Sequence, residues 1–322
     1  MQAQAMMRAR VVEEILATEK SYIKSLDNLQ KEFIVNVKSG NWLKKEEFEA
    51  VFSNIEQLLA YHHEFLKILE TKIFNWSPKS TIGKEFLLKT DFLDKYEPYL
   101  INYSTSALSL ELLCIKFPSL ALVLTGFEKS STQSYKITDV LIMPVQRIPR
   151  YIMLLNQLQK FTLPATAEHR ILEAAGRKIQ QSLERINSKI NLESIIKLEE
   201  IINIRNSIVE SSEENFPVNL KRALVKEGPL LIQKINNPEK KKLVSKKVYF
   251  FLMSDYLVFC TEAKQSKKDK KRIKISLPPR ETEYDIVDSG PKSFLEEISF
   301  LRKKEFALKW KKEEWIFECK TE

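Results

Sequence analysis

The spacing of apolar residues changes once along this 322-residue chain, around residues 211–217 (SSEENFP). Before that stretch, apolar residues recur every three or four positions over long segments, which is typical of amphipathic α-helices. After it, short runs rich in β-branched and aromatic residues alternate with a spacing near two, which is typical of β-strands. The chain is therefore predicted to be an α+β multidomain protein with a polar linker between its parts.

The first part is predicted to be an elongated all-α bundle of about six helices. The predicted helical segments cover residues 8–38, 45–71, 80–113, 119–130, 137–160 and about 165–208. The predicted division of the chain is a helical domain over residues 1–208, a linker over 209–220 and a β domain over 221–322.

The second part is predicted to be a small antiparallel β-barrel or sandwich. The predicted strands cover residues 230–232, 248–253, 256–260, 273–277, 306–310 and 315–319. Ser254 and Asp255 fit a tight hairpin between two of them. Residues 291–303 have apolar positions at helical spacing and are predicted to form a helix between strands.

Charge separates the same two parts. Residues 1–220 contain equal numbers of basic and acidic residues, whereas residues 221–322 contain 25 basic and 16 acidic ones, which is the whole net charge of +9. A neutral surface and a basic surface predict different partners for the two domains.

Several classes of site are disfavoured by residue spacing. The six glycines are too far apart for a glycine-rich nucleotide-binding loop. The cysteines, Cys114, Cys260 and Cys319, have no disulfide or zinc spacing. His62 and His63 are adjacent, so on a helix they point about 100° apart and do not make a metal site. The sequence therefore predicts no metal site and no cofactor.

Residues 143–151 (MPVQRIPRY) are unusual for the inside of a helix. Pro144 and Pro149 each remove a backbone donor, and Arg147 and Arg150 interrupt apolar flanks. Pro144 is expected to start a helix. Pro149 is expected to end a distorted segment at the entry to that helix. Cations kept in an apolar helix indicate a role beyond stability.

Three segments, in order, resemble the conserved regions of Dbl-type guanine-nucleotide exchange factors for Rho-family GTPases. They are residues 11–22 (VVEEILATEKSY), residues 92–103 (FLDKYEPYLINY) and residues 143–151 with Leu154-Leu155. Ala175 and Ile186-Asn187 fit the last helix of the Dbl-homology domain. Residues 251–259 (FLMSDYLVF) are similar to the strand–turn–strand core of a pleckstrin-homology domain, whose C-terminal helix has no counterpart before residue 322.

The resemblance implies roles for individual residues. Glu14 matches a glutamate that engages switch I of the GTPase, while Arg150 and Asn187 match residues directed at switch II. Supporting positions at the GTPase interface are Thr18, Gln146, Arg147 and Leu154, of which Arg147 is expected to brace the bundle. The implied partner is a GTPase of the Rho, Rac or Cdc42 type, and the implied activity is GDP release without covalent chemistry.

The basic β domain predicts attraction to anionic lipid. Lys234, Lys246 and Lys247 flank the loop where pleckstrin-homology domains bind phosphoinositides, but Val248 occupies a position that is basic in tight binders. Weak membrane attraction, at about 1 kcal/mol per basic residue near the surface, is the favoured reading. The chain is thus expected to be cytoplasmic and recruited to membrane.

Other readings stay open from sequence alone. Glu14 by itself is typical of a solvated helix flank, Arg150 of an intrabundle ion pair, and Asn187 of plain surface. The whole chain also fits a catalytically inactive membrane-associated scaffold. Residues 267–272 (KKDKKR) fit a solvated loop, a membrane contact or a nuclear signal, and the lack of interleaved aromatic residues argues against nucleic acid.

Overall fold

The computed structural model describes the backbone of residues 2–89, 92–130, 136–209, 211–235, 243–263, 284–291, 295–302, 305–310 and 313–318. Two compact units make up the chain, Met1–Asn191 and Leu192–Glu322. The helix that begins at Leu192 therefore belongs to the second unit, although the sequence-based division places residues up to 208 in the helical domain. Within the described residues, no helix combines the length and the apolar character that a membrane span needs.

The first unit is built from α-helices. Its elements are α1 (Gln2–Asn28), α2 (Val35–Ser39), α3 (Lys45–Phe52), α4 (Ile55–Ile73), α5 (Gly83–Leu88), α6 (Phe92–Lys116), α7 (Pro118–Ser130), α8 (Ile137–Leu141), α9 (Met143–Lys160) and α10 (Ala167–Asn187). A π-helical turn, Leu29–Ile34, joins α1 to α2. Large aromatic side chains fill the interior, among them Tyr96, Tyr151 and Phe65, each almost completely buried.

Several helical segments predicted as continuous are broken in the structure. Residues 45–71 divide at Ser53, whose φ of 46° lies in the left-handed region and cannot continue a helix. The predicted helix over residues 165–208 is two helices, α10 and α11 (Leu192–Ser207). No proline or glycine lies between them, so the periodicity gave no signal for the break.

The helix α9 contains both unusual prolines. Pro144 lies in its first turn, where its missing N–H costs no helical hydrogen bond. Pro149 lies inside the helix, which continues to Lys160. The expectation that Pro149 ends a distorted entry is therefore wrong, because the buried apolar residues on either side keep the helix packed through it.

The second unit combines α11 with one antiparallel sheet. Its strands are β1 (Leu224–Ile235), β2 (Leu243–Met253), β3 (Tyr256–Glu262), β4 (Tyr284–Pro291), β5 (Leu295–Arg302), β6 (Glu305–Trp310) and β7 (Glu313–Glu318). Their order in the sheet is β4-β3-β2-β1-β7-β6-β5. The pairing of Leu252 with Leu257 confirms the tight hairpin at Ser254 and Asp255.

One prediction in this unit is wrong. Residues 295–302, predicted to be helical, form β5 and pair with β6 through Ile298 with Leu308 and Phe300 with Phe306. The register shifts at both ends of β5 disturb the alternation of apolar and polar residues along the strand. The spacing of its apolar residues therefore resembles that of a helix. The strand predicted over residues 273–277 and the basic residues 267–272 lie outside the described residues.

Polar and apolar contacts fasten the linker to the sheet within the second unit. Ile204 and Ile208 share a buried cluster with Phe216 and Phe251. The guanidinium of Arg222 donates to both carboxylate oxygens of Asp255, at 2.8 and 3.0 Å, so the segment before β1 is held to the β2–β3 turn. The linker thus has fixed partners, and α11 forms part of the core of the β unit.

Candidate functional site

The surface between α1 and α9 carries two of the predicted contact residues. Arg150 Nη2 donates to Glu14 Oε1 at 2.8 Å, and both side chains are about half exposed, at 44% and 40%. The two charges, 136 positions apart in sequence, are therefore adjacent in the fold. In water such a pair contributes little to stability, so both groups can exchange partners.

A groove of about 650 Å³ lies along the same two helices. Hydroxyl-bearing and aromatic residues of α1 line one side, and apolar and basic residues of α9 line the other. The lining residues are Thr18, Ser21, Tyr22, Ser25, Met143, Gln146, Arg147, Pro149, Arg150 and Met153. Met153 is 46% exposed, so the groove presents an apolar contact beside the charge of Arg150.

Beneath the groove, a buried carboxylate joins three helices. Glu19 of α1 is fully buried and accepts hydrogen bonds from Arg147 and Tyr151 of α9, the latter at 2.5 Å. Its other oxygen lies 2.6 Å from His62 Nδ1 of α4. An ionised carboxylate only accepts, so Nδ1 of His62 carries a proton and donates it.

The network continues away from the carboxylate through two tyrosines. His62 Nε2 lies 2.5 Å from the hydroxyl of Tyr96, which lies 3.2 Å from the hydroxyl of Tyr22. The network contains three tyrosines, Tyr22, Tyr96 and Tyr151. Burial raises the pKa of each of their hydroxyls, so all three stay protonated near neutral pH. Tyr22 and Arg147 also line the groove, so the buried network forms part of its floor.

The network holds Glu19 in its charged form. Burial by itself raises the pKa of Glu19, but the hydrogen bond and charge of His62, the charge of Arg147 and the hydrogen bond of Tyr151 outweigh burial and leave the pKa lowered. This cluster was not predicted from the sequence. Glu19 lies in a segment that resembles the family, but the resemblance gave it no role. The position of His62 in the sequence did not indicate a contact with Glu19.

We expect the carboxyl group of Glu19 to remain ionised below its ordinary pKa of 4.5. Because the folded-state pKa is depressed, the stability it contributes is fully present above the unfolded pKa and is lost as pH falls through the folded value. A ¹³C NMR titration of the Glu19 carboxyl checks this. An inflection above 4.5 would mean that burial dominates, contrary to this prediction.

Asn187 lies at the end of a different helix. It is the last residue of α10, which packs against α9, and its side chain is exposed. Arg185 and Lys189, two positions before and after it, form ion pairs with Asp94 and Glu97 of α6, at 2.7 and 2.6 Å. The structure therefore leaves Asn187 accessible at the surface of a tethered helix end.

The predicted supporting residues lie at different depths. Thr18 and Gln146 line the groove, and the hydroxyl of Thr18 donates to the carbonyl of Ile15 at 3.1 Å. Arg147 lies in the interior with Glu19 and ties α1 to α9. Leu154 is fully buried, so it supports the surface from beneath without touching a partner.

The predicted lipid-binding lysines lie on β1 and β2. Lys247 is exposed, and its Nζ lies 4.0 Å from a carboxylate oxygen of Glu262. Lys234 pairs in register with Val244, and Lys246 with Ile232, but their side chains are outside the described part of the structure. The position that departs from the tight-binding pattern, Val248, is buried, which fits an apolar residue there.

No metal site was found among the described residues, since no three His, Cys, Asp or Glu side chains cluster suitably. His62 is bonded to Glu19, whereas Nε2 of His63 lies 3.0 Å from Asp27. The adjacent histidines thus serve separate partners. The described surface offers placed charges, hydroxyls and an apolar groove, which suit binding of another macromolecule.

Comparisons with known proteins fit this arrangement. Residues 11–187 match the RhoGEF domain family. The chain is 30% identical over 303 residues to Rac guanine nucleotide exchange factor B of Dictyostelium discoideum, a match spanning 83% of this chain and 24% of that protein. It is 30% identical over 288 residues to the phosphatidylinositol 3,4,5-trisphosphate-dependent Rac exchanger 1 protein of Mus musculus, spanning 84% of this chain and 16% of that one.

The fold comparison covers nearly the whole chain. The DH/PH domains of PDZ-RhoGEF, solved in complex with GTP-γ-S activated RhoA, superpose with a TM-score of 0.53 at 18% identity, covering 99% of this chain and 90% of that one. The helical unit is the part that the family model matches, and it holds Glu14, Glu19 and Arg150 together. The chain belongs to the RhoGEF family, with the tandem Dbl-homology and pleckstrin-homology fold.

Proposed function

We propose that this chain is a guanine-nucleotide exchange factor that accelerates GDP release from a Rho-family GTPase of the Rho, Rac or Cdc42 type. The observation that carries the proposal is the pairing of Glu14 with Arg150 on one open surface, inside the segment that matches the family. These residues are distant in sequence, and each matches a family contact independently. Because the two residues lie next to each other beside an exposed groove, one partner could contact both of them.

The mechanism requires selective binding and no covalent step. Glu14 accepts hydrogen bonds from switch I, while Arg150 and Asn187 bind switch II through a planar donor fork and an amide. A rigid surface that holds both switches in a shape incompatible with Mg²⁺ binds the nucleotide-free GTPase best. By linkage, the GTPase then binds GDP less tightly by the same factor, and GTP loading follows release.

The buried network supports the rigidity that this mechanism needs. Glu19, Arg147 and His62 connect α1, α9 and α4 beneath the contact surface, and all three are buried. Rearranging α1 against α9 would leave buried charges without partners, which is costly. The helices that carry Glu14 and Arg150 therefore resist deformation by the GTPase, and the switch loops change shape instead.

The names of two relatives and the contents of one solved structure support the choice of partner. The Dictyostelium and mouse relatives are named for Rac, and the PDZ-RhoGEF structure contains RhoA. The chain spans less than a quarter of either relative's length, so their whole activities do not transfer directly. The partner proposed here is the GTPase family that these names share.

The β unit is proposed to bring a cytoplasmic protein to anionic membrane. The exposed Lys247, on β2 near its connection to β1, supports a basic surface on one face of this strand pair. The mouse relative is named for dependence on a phosphoinositide. Attraction to anionic lipid, including phosphoinositide, follows from this basic charge, and no role in nucleic-acid binding is proposed.

We expect the 322-residue chain to accelerate release of fluorescent GDP from at least one GTPase in a panel of Rho, Rac and Cdc42 types. A Ras-type GTPase serves as the control and should be unaffected. The assay is repeated with vesicles of neutral and of anionic lipid, and sedimentation records membrane binding. Sedimentation with anionic vesicles but no acceleration of any GTPase would contradict the proposal and identify an inactive scaffold.

A further inference from the structure

Two ion pairs connect the first turns of α6 to the end of α10. Arg185 Nη2 lies 2.7 Å from Asp94 Oδ1, and Lys189 Nζ lies 2.6 Å from Glu97 Oε1. Glu97 is the most buried of the four side chains, with 24% exposed. The family resemblance gave none of these four residues a contact role, and all four side chains are at least partly exposed.

The spacing of these residues sets the direction of Asn187. Arg185 and Lys189 are four positions apart, so they lie on the same side of the chain as it leaves α10. Asn187 is two positions from Arg185, a rotation of about 200° on a helix, and it therefore lies on the opposite side. The ion pairs hold one face of the helix end against α6, while the other face presents Asn187.

The end of a helix is where such tethering matters. The backbone N–H groups of Lys189 and Ile190 donate to the carbonyls of Ile186 and Asn187, at 2.9 and 3.2 Å, in a short turn that closes α10. Helix ends fray readily, because few hydrogen bonds and buried contacts hold them. Ile186 anchors the last turn from within the core, and the two ion pairs add anchors on the residues on either side of Asn187 that fix its orientation.

We infer that Asp94 and Glu97 are positioning residues that fix Asn187 in the orientation used for nucleotide exchange. The inference deepens the proposed function and rests on it. Neither carboxylate touches the GTPase, since each acts through the basic residue that it holds. Their effect should appear in the maximal rate of catalysed GDP release, and not mainly in the affinity for the GTPase.

The test is a charge-reversal cycle on the more buried pair, with the GTPase that the wild-type chain activates best. Glu97→Lys and Lys189→Glu should each lower the rate at saturating exchange factor by about three- to tenfold, because each creates a like-charge pair. The double variant re-forms the pair in reverse and should return to within about twofold of wild type. Glu46→Lys, at an exposed position of α3, is the matched control and should change the saturated rate little.

A second measurement does not depend on any GTPase. Hydrogen exchange of the Lys189 and Ile190 amides should quicken in each single variant and recover in the double variant, because the closing turn depends on the ion pair. The double variant must recover both the rate of GDP release and the hydrogen-exchange rates of the two amides. Otherwise the inference is overturned. If exchange rates of the amides follow the cycle but the wild-type chain releases no GDP, the proposed function fails and the positioning role in exchange fails with it.

A different result would assign these residues a direct role. If Glu97→Lys and Lys189→Glu change the affinity for the GTPase, and the double variant combines both losses, the side chains contact the partner themselves. That outcome also overturns the positioning role, because a direct contact is not restored by reversing both charges. Repeating the assay at higher salt separates long-range attraction, which salt screens, from the local pair.

Discussion

Glu14→Ala and Asn187→Ala should each nearly abolish catalysed GDP release while leaving the protein folded. Both side chains lie at the surface, so the folded bundle loses little when they are truncated. In the complex with the GTPase, each substitution removes one partner of a desolvated polar contact, at a cost of about 2–5 kcal/mol. That cost corresponds to a loss of about 30-fold to several thousand-fold in the rate of release at fixed protein concentrations.

The structure offers matched controls for both changes. Glu13→Ala alters the neighbouring exposed carboxylate of α1, and Gln181→Ala truncates an exposed amide of α10. Both should keep the wild-type rate within about twofold, since neither residue lies at the predicted surface. Equal activity of Glu14→Ala and Glu13→Ala would show that the α1–α9 surface is not where the GTPase binds.

The pairing of Glu14 with Arg150 adds a detail that sequence could not supply. In the free protein the two residues satisfy each other at 2.8 Å, so binding a GTPase replaces an existing contact. The gain from each new contact is then reduced by the loss of the old one. From sequence alone, an intrabundle ion pair is the alternative to a GTPase contact for Arg150, and the free protein contains such a pair.

The fold could be predicted where local pattern and tertiary packing agree. Long periodic helices such as α1 and α9 were found because their buried faces repeat at the spacing that an amphipathic helix requires. The prediction was wrong for β5, where pairing with β6 decides the conformation and the apolar spacing favours a helix. The break between α10 and α11 was also missed, since neither proline nor glycine marks it.

The site was only partly predictable for a related reason. Glu14 and Arg150 came from matched motifs, and the structure brings them together. Glu19 and His62 were missed because a buried polar residue reads as an ordinary polar residue until its partners are known. Their hydrogen bonds join positions 43 residues apart in sequence, and no local spacing encodes a contact of that range.

The surface and the network below it have different energetic roles. The Glu14–Arg150 pair is half exposed, so water competes for it and it contributes little to stability. The Glu19–Arg147 pair is buried, so either charge alone would be costly. Substitutions at the surface should therefore change exchange without unfolding, whereas substitutions below it should change folding first.

Glu19→Gln is expected to destabilise the helical unit by about 3–5 kcal/mol, because it keeps the shape of the side chain but leaves the buried Arg147 charge uncompensated. Urea denaturation followed by circular dichroism at 222 nm measures this loss, since that signal comes mainly from the helices. Glu13→Gln makes the same chemical change at an exposed position of α1 and should stay within about 0.5 kcal/mol of wild type.

Removing both charges distinguishes a buried ion pair from simple loss of packing. Glu19→Leu combined with Arg147→Met should recover part of the stability lost in Glu19→Gln, because no unpaired charge remains in the interior. Recovery should be incomplete, since His62 and Tyr151 lose the carboxylate that accepts their hydrogen bonds. The contrary result would be a double variant whose free energy of unfolding is lower than that of Glu19→Gln by the full loss that Arg147→Met causes on its own. The two charges would then act independently, and the network would not hold α1 to α9.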